Sequence, residues 1–346
     1  MKCFCAAVDT RSVLHSLAVS DDSIRITFVR HGQTEANLTK RWQGQGDSPL
    51  SALGVEQARL LGERLKRRTY TRVWSSDLSR AMDTARATGF AFSTDPALRE
   101  FDVGCWEGLS AAEVEAQYGE DLKRLMRGED VPLGGGESYG TFSARIDGAL
   151  AALRAQLEPG DHALVVCHGG VIGTVLSGAF GLRKARAWAT ARALNTSITE
   201  LSYGEEGTLL HVFNDTLHLM PLGSWPGYGE VKGCVALFSD VPAQPGYGDF
   251  TAHYEGDALA ALGPDLSRHL SELARRHPEE RVAVTAASPS IHAWAETTLL
   301  GRASAADAGA GSSAVRGRLC APPAGSICHA GREGDRVLLL DYGLMR

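Results

Sequence analysis

The chain has 346 residues, 44% of them hydrophobic and 22% charged, a composition that suits a soluble globular protein of one large domain or two ordinary ones. A formal net charge of −6 gives no general reason to expect nucleic acid or an anionic membrane as partner, so any anion site has to be a local concentration of positive charge. No apolar run is long enough to span a bilayer, and seven cysteines scattered without a CxxC pair point to reduced thiols and a cytoplasmic protein.

Residues 1–22 lack the basic start and continuous apolar core of a secretory signal and read as a poorly packed tail. Ile24-Arg25-Ile26-Thr27-Phe28-Val29 is a β-branched run that predicts a buried strand of a parallel sheet, and it stops abruptly at Arg30-His31-Gly32. In open α/β sheets ligands collect beyond the carboxyl ends of strands. An arginine fork beside an imidazole at such an end suits a phosphoryl group: the fork binds two oxygens and the imidazole can attack phosphorus.

Thr39 to Pro49 is polar and turn-rich and reads as a loop. Ser51 then opens a helix that carries Leu53, Val55, Ala58, Leu61 and Leu65 at helical spacing. Thr71 to Ser76 reads as a strand, followed by a helix with Arg80, Ala81, Thr84 and Ala85, for which Asp77 or Ser79 is the expected cap. Leu98 to Gly108 is irregular and bounded by glycine. Helical patterns return at Ala111 to Met126 and at Ser138 to Leu157. Ala163 to Cys167 is a second buried strand that ends in a histidine and glycines, His168-Gly169-Gly170. A helix over Val171 to Phe180 and strands at Ser197 to Leu201 and Leu209 to Phe213 complete the pattern. This alternation favours a layered α/β fold around a largely parallel sheet.

Two histidines at two strand ends, each followed by glycine, are the centre of a longer ordered set. Arg30-His31-Gly32 comes with Thr34 and Asn37, then Gln43-Gly44 and Ser48-Pro49-Leu50. Ser75-Ser76-Asp77-Leu78-Ser79-Arg80-Ala81 with Thr84-Ala85 follows, then Leu98-Arg99-Glu100 with Gly104 and Trp106-Glu107-Gly108. Gly136-Glu137-Ser138, His168-Gly169-Gly170 and Asn214-Asp215 close it. In this order, over roughly residues 24–220, the sequence resembles the histidine phosphatase superfamily, also called the phosphoglycerate mutase-like family. The resemblance implies a three-layer α/β/α domain over 23–222 with a largely parallel central sheet.

It also implies roles. His31 is the expected nucleophile, forming a phosphohistidine through an unprotonated ring nitrogen while the other nitrogen donates to a backbone carbonyl. Arg30, Arg80 and His168 are expected to clamp the phosphoryl oxygens. Glu100 is expected to give and then take a proton, in preference to its neighbours Asp102 and Glu107. Asn37, Gln43 and the Gly169 amide would bind the phosphate, and Glu137 would support the site. Arginines and histidines supply the positive charge, so no metal and no cofactor is expected. The expected partner is a small phosphorylated substrate.

Competing chemistries fit less well. Cys167 lacks the arginine six positions on that a cysteine-dependent phosphatase needs, since Gly173 stands there. No G-x-S-x-G elbow, H-E-x-x-H pair or P-loop occurs. Mutases of the family resemble one another in a long insertion before the Gly-Glu-Ser loop, whereas only Leu109 to Gly135 fills that gap here. The expected activity is therefore a phosphomonoesterase, with a cofactor-dependent mutase second and a non-catalytic phospholigand-binding scaffold third.

From Gly223 the composition shifts to Gly, Pro and Tyr, as in a linker, and residues 223–346 form a smaller α/β region. Gly256-Asp257, a helix to Arg276 and Arg281 to Ile291 track Gly136-Glu137, its helix and Val165 to Ile172, with Ala287 where His168 stands. Ser326-Ile327 and Val337 to Asp341 echo Ser197-Ile198 and Leu209 to Phe213. Ala236 to Asp240 echoes Val73 to Asp77, with Ala243 in place of Arg80. Two readings stand: a truncated, non-catalytic half-copy that packs on the first domain or mediates homo-oligomer formation, or an unrelated α/β appendage. Ala303 to Ala324 reads as a flexible loop in either.

Overall fold

The computed structural model describes residues 22–181, 192–205, 207–222, 234–239, 252–255, 266–286, 290–292, 295, 318–319, 327–333, 336–339 and 342. The tail 1–21, the linker 223–233, Asp240, Ala243, Gly256-Asp257 and Ala287 lie outside the described residues. Among the described residues there are two sheets, of seven and five strands.

In the first, strand β1 (Ile24–Arg30) lies at the centre, with β4 (His162–Cys167) parallel to it on one side. Beyond β4 come β2 (Arg72–Ser75) and the short β3 (Ser93–Thr94), both parallel. On the other side β5 (Ile198–Gly204) and β6 (Gly207–Asp215) run antiparallel to their neighbours. The strand–helix alternation breaks at this point for a simple reason. Between Gly204 and Gly207 there is room only for a hairpin, and a parallel return needs a dozen residues or more.

Period-two alternation of apolar residues on both faces makes this sheet the middle of three layers. Ile26 and Phe28 of β1, with Ala163, Val165 and Cys167 of β4, face helices α5 (Tyr139–Arg154) and α6 (Gly169–Ala179) through Phe142, Ile146, Val171 and Ile172. Val29, Leu164 and Val166 face the opposite layer, formed by α2 (Ala52–Leu65) and α3 (Ser79–Thr88), through Leu61, Leu65, Ala81 and Ala85. Each fully buried Leu, Ile or Phe here contributes about 1.5–3 kcal/mol relative to exposure.

Local signals place the helices with few exceptions. Ser51 caps α2 as expected, its hydroxyl accepting from the Gly54 amide. A one-turn helix α1 (Glu35–Leu38), capped by Thr34, precedes the expected loop. Helix α4 is Ala111–Met126, opened by a Ser110–Glu113 capping box. The expected cap of α3 is not found: Leu78 occupies the cap position without a side-chain bond. Asp77 is instead held by Arg99 at 2.6 and 2.8 Å, and the Ser79 hydroxyl bonds Asp47, so both candidates have stronger partners elsewhere.

The second sheet comprises β7 (Cys234–Ser239), β8 (Ala252–Glu255), β9 (Arg281–Thr285), β11 (Ile327–Glu333) and β12 (Arg336–Leu339), with α7 (Leu266–Arg276) preceding β9. Its order is β12-β11-β7-β9-β8. β7 is parallel to β9 and β9 to β8, while β11 is antiparallel to both β7 and β12. The first sheet shows the same order and directions over β6-β5-β1-β4-β2. β7 thus occupies the place of β1, which corrects the expected match of Ala236 to Asp240 with the β2 segment. Apolar patterning does not distinguish two parallel central strands; hydrogen-bonded neighbours do.

The boundary at 222/223 is crossed by the first sheet. Strand β10 (Arg318–Leu319), inside the segment expected to be a loop, adds to the edge of β6 in parallel. Tyr342, fully buried, bridges Phe213. Burial of Leu319 and Tyr342 against the β6 edge explains the pairing, and it covers an edge that would otherwise be open. Among the described residues no helix is long and apolar enough to cross a membrane.

Candidate active site

The carboxyl ends of β1 and β4 bring His31 and His168 together, their ring centroids 5.2 Å apart and both rings buried. The turn after β1 is tight because its backbone crosses that of α2 closely. A Cβ on Gly54 would overlap the Gln33 carbonyl, and one on Gly32 would overlap the Gly54 carbonyl. The Gly32 amide donates to Thr84 Oγ1 at 3.0 Å, and that hydroxyl donates to the Arg80 carbonyl at 2.7 Å. Thr84 therefore ties the β1 turn to the turn of α3 that carries Arg80.

His31 Nδ1 lies 2.7 Å from the Gly32 carbonyl, which can only accept. Nδ1 therefore holds the proton and Nε2 carries the lone pair. Burial, followed by the charges of Arg30 and Arg80, holds His31 well below the usual imidazole range, so the ring is neutral at physiological pH. His168 is lowered in the same way, by burial first and then Arg80. Its Nε2 pairs with Ser76 Oγ at 2.8 Å, and its buried Nδ1 has no hydrogen-bond partner.

Arg80 is fully buried and donates to the carbonyls of Gly46 and Gly44 at 2.8 and 2.7 Å, while its Nε has no partner. Burial lowers it to about 10, which leaves it charged at neutral pH. Arg30 Nη1 donates to the Ala193 carbonyl at 2.7 Å, and Gly169, the first residue of α6, lies alongside its guanidinium. Gln43 Oε1 accepts from Thr34 Oγ1 at 3.0 Å, and its buried Nε2 has no partner. Asn37 Oδ1 accepts from the Thr34 amide and from Asn195 Nδ2, so the end of its amide left for a ligand is the donor.

Glu100 reaches the same place from the irregular segment after a 3₁₀ turn at Pro96–Leu98. Its carboxylate accepts from the Phe101 amide at 2.9 Å and the Gly170 amide at 3.0 Å. A Cβ on Gly170 would overlap that carboxylate, so glycine is required at the second position of α6. The rival acids are committed elsewhere: Asp102 Oδ1 caps the Gly104 amide at 2.9 Å, and Glu107 Oε1 accepts from the Gly46 amide at 2.6 Å. Cys167 is buried with its thiol pushed up by burial, which makes it a core residue and no nucleophile.

All eight expected residues thus converge on one end of the sheet, in or beside the cluster around His31. Buried polar groups are ordinarily satisfied. Here Arg80 Nε, Gln43 Nε2 and His168 Nδ1 are not, two of them obligate donors, beside two guanidinium groups. This arrangement suits a multiply charged anion. Among the described residues, no group of three or more His, Cys, Asp or Glu is placed to hold a metal ion.

Sequence reasoning missed Asn195. Its Nδ2 donates to the His31 carbonyl at 3.0 Å as well as to Asn37, so it fixes the His31 backbone. Thr196 follows at a positive φ of 57°, with its amide bonding the Arg30 carbonyl. Asn214 Oδ1 accepts from the Leu194 amide at 2.8 Å and so holds the segment whose Ala193 carbonyl receives Arg30. The only signal for Asn195 was a polar run, Asn195-Thr196-Ser197, against the start of a buried strand.

Residues 26–216 match the description Histidine phosphatase superfamily (branch 1). A Yersinia pestis protein described as a probable phosphoglycerate mutase, GpmB, is 34% identical over 206 residues, covering 57% of this chain and 95% of its own. Among solved structures, the α-ribazole phosphatase of Shigella flexneri is similar with a TM-score of 0.51 at 26% identity, covering 56% of this chain and 96% of its own. Phosphoserine phosphatase of Entamoeba histolytica, solved with phosphoserine, is similar with a TM-score of 0.52 at 28% identity, covering 57% and 99%.

Proposed function

The chain belongs to the histidine phosphatase superfamily (branch 1), and from that premise we propose that it is a phosphomonoesterase working through a phosphohistidine on His31. One observation carries the reading. A neutral imidazole with Nδ1 committed to the Gly32 carbonyl presents Nε2 between the charges of Arg30 and Arg80. In the first step Nε2 attacks phosphorus and the bond from phosphorus to the ester oxygen breaks, while the protonated Glu100 carboxyl gives its proton to that oxygen. In the second, Glu100 takes a proton from water as the water oxygen bonds to phosphorus and the N–P bond breaks, which restores His31 and Glu100. Arg30, Arg80 and His168 hold the three oxygens over which charge spreads, and Asn37, Gln43 and Gly169 complete the cradle.

Both phosphatases and a probable mutase are among the relatives, and the two activities share the first step. The phosphatase reading is favoured by the segment between the acid and the Gly-Glu-Ser loop. Here it holds α4, kinked at Tyr118, between two 3₁₀ turns rather than a long covering insertion. Residues 223–346 are read as a degenerate, non-catalytic copy of the fold, supported by the repeated strand order. In sequence no Arg-His pair follows β7, which continues into Asp240-Val241, and no histidine directly follows β9, which continues into Ala286-Ala287. The test is turnover of p-nitrophenyl phosphate with chelator present, beside His31→Ala, and of 3-phosphoglycerate. Metal-independent hydrolysis lost in the variant supports the reading; isomerisation of 3-phosphoglycerate without net hydrolysis replaces it with the mutase.

A further inference from the structure

Glu100 sits on a stretch of chain with no regular structure between the 3₁₀ turn at Pro96–Leu98 and a second at Gly104–Trp106. Carbonyls in such a stretch have no ladder or helix to satisfy them and need donors from elsewhere. Two side chains supply them: Gln45 Nε2 donates to the Glu100 carbonyl at 3.2 Å, and Arg145, on the middle of α5, reaches three carbonyls. Arg145 Nη1 donates to the carbonyls of Ala97 and Arg99, each at 2.9 Å, and Nη2 donates to the carbonyl of Glu100 itself at 3.1 Å.

The guanidinium is in turn fixed by Glu137. Both carboxylate oxygens of Glu137 accept from it, at 2.7 Å each, in the bidentate geometry that only arginine provides. Glu137 Oε2 also accepts from the Asp102 amide at 3.0 Å, and the Glu137 amide donates to the Asp102 carbonyl at 2.8 Å. The acid segment is therefore gripped on both sides of Glu100. Phe101, next along, packs on Phe142 with ring centroids 4.6 Å apart, and the same guanidinium lies over the Phe142 ring. The Glu100 carboxylate is held by the Phe101 and Gly170 amides and not by Arg145 or Glu137, and, after burial, the Arg145 charge is a minor cause of the lowering of His168. The contact of Arg145 and Glu137 is with the main chain that aims the carboxylate at Gly170.

We infer that Arg145, locked by Glu137, is the positioning residue for the proton donor: it sets where the Glu100 carboxyl stands relative to the departing oxygen. This rests on the reading of Glu100 as general acid and deepens it. Displacement by about 1 Å of a reacting group costs about 10²-fold in rate, so loss of the fork should act on the proton-transfer step and spare steps that need no acid.

Two esters separate these effects. 2,4-Dinitrophenyl phosphate expels a stable anion and needs no proton, whereas β-glycerophosphate expels an alkoxide that does. The readout is the ratio of kcat/KM on the alkyl ester to kcat/KM on the aryl ester, which covers the steps through transfer to His31 and leaves out the hydrolysis that both esters share, in wild type, Glu100→Gln, Arg145→Met and Arg145→Lys, with melting curves for each. Glu100→Gln is expected to lower the ratio by about 10²-fold or more. Arg145→Met should lower it by about 10-fold or more, with Arg145→Lys between it and wild type because an ammonium cannot fork. If Arg145→Met does not fold, Glu137→Gln takes its place under the same ratio. A Glu100→Gln variant with an unchanged ratio removes the acid assignment itself. A lowered ratio in Glu100→Gln beside a wild-type ratio in the folded Arg145 and Glu137 variants leaves that assignment standing and overturns the positioning role.

Discussion

The two sheets of this chain run five strands in the same order and directions, and they differ at the carboxyl ends of their two central strands. In the first sheet β1 and β4 pass directly into Arg30-His31-Gly32 and His168-Gly169-Gly170. In the second the sequence continues past β7 into Asp240-Val241 and past β9 into Ala286-Ala287. The lesson is that strand order and apolar alternation build the platform, and a handful of residues at its edge build the site. The second sheet keeps an interior of Val282, Val284 and Ala330, with no Arg-His pair or histidine directly after those two strands in the sequence. The same region of the chain also supplies β10 and Tyr342, which lie along the β6 edge of the first sheet.

That division of labour can be broken from either side. The largest effect belongs to the strand end: His31→Ala should reduce phosphatase kcat by about 10⁴-fold or more, since it removes the proposed nucleophile. Arg80→Met removes a fully buried charge facing the phosphoryl oxygens and should cost about 10²–10³-fold in kcat/KM. Gly170→Ala should cost about 10²-fold with the fold intact on circular dichroism, because its methyl group displaces the Glu100 carboxylate. A Gly170→Ala enzyme of wild-type rate contradicts the placement of that acid.

The supporting sheet should respond in stability alone. Tyr342→Ala removes a fully buried ring from the residue whose backbone bridges Phe213, and the chain should lose about 3–5 kcal/mol in denaturant unfolding while the folded fraction keeps its kcat. Loss of kcat in that folded fraction instead makes the second sheet part of the catalytic machinery.

The smallest effect is a pH dependence of stability. Burial lowers His162 and His218 to about 4, against an ordinary value near 6.5. Each is neutral when folded over a range where the unfolded chain binds a proton. Their contribution is therefore full above about pH 6.5 and is lost as the pH falls through that range toward about 4. His162 Nε2–H donates to Thr27 Oγ1, which donates to the buried Glu200, so the ring is held neutral within a network that also takes Arg68 and Arg25. The thermal midpoint should fall across this window, and less steeply in His162→Asn/His218→Asn.

What could be read from the sequence follows the same line. His31, Arg30, His168 and Gly169 were legible because they are contiguous with unmistakable buried strands, and Arg80 and Glu100 because they keep their order in a family pattern. The direction of β5 and β6 was not, since alternation looks the same in parallel and antiparallel strands until the two-residue connection is weighed. Neither was β10, two residues long and defined only by the edge it completes. Asn195 and Arg145 act across 164 and 45 positions, respectively, on backbone carbonyls, which accept from any donor and so leave no matching residue type in the sequence.

The central claim is the covalent step. Rapid quench of the enzyme with a ³²P-labelled aryl phosphate, followed by peptide mapping, tests it without waiting for the natural substrate. The account predicts an acid-labile, alkali-stable phosphate on the peptide holding His31, formed within the first turnover and absent from His31→Ala. Turnover with no label on protein, or with label on any other residue, contradicts it.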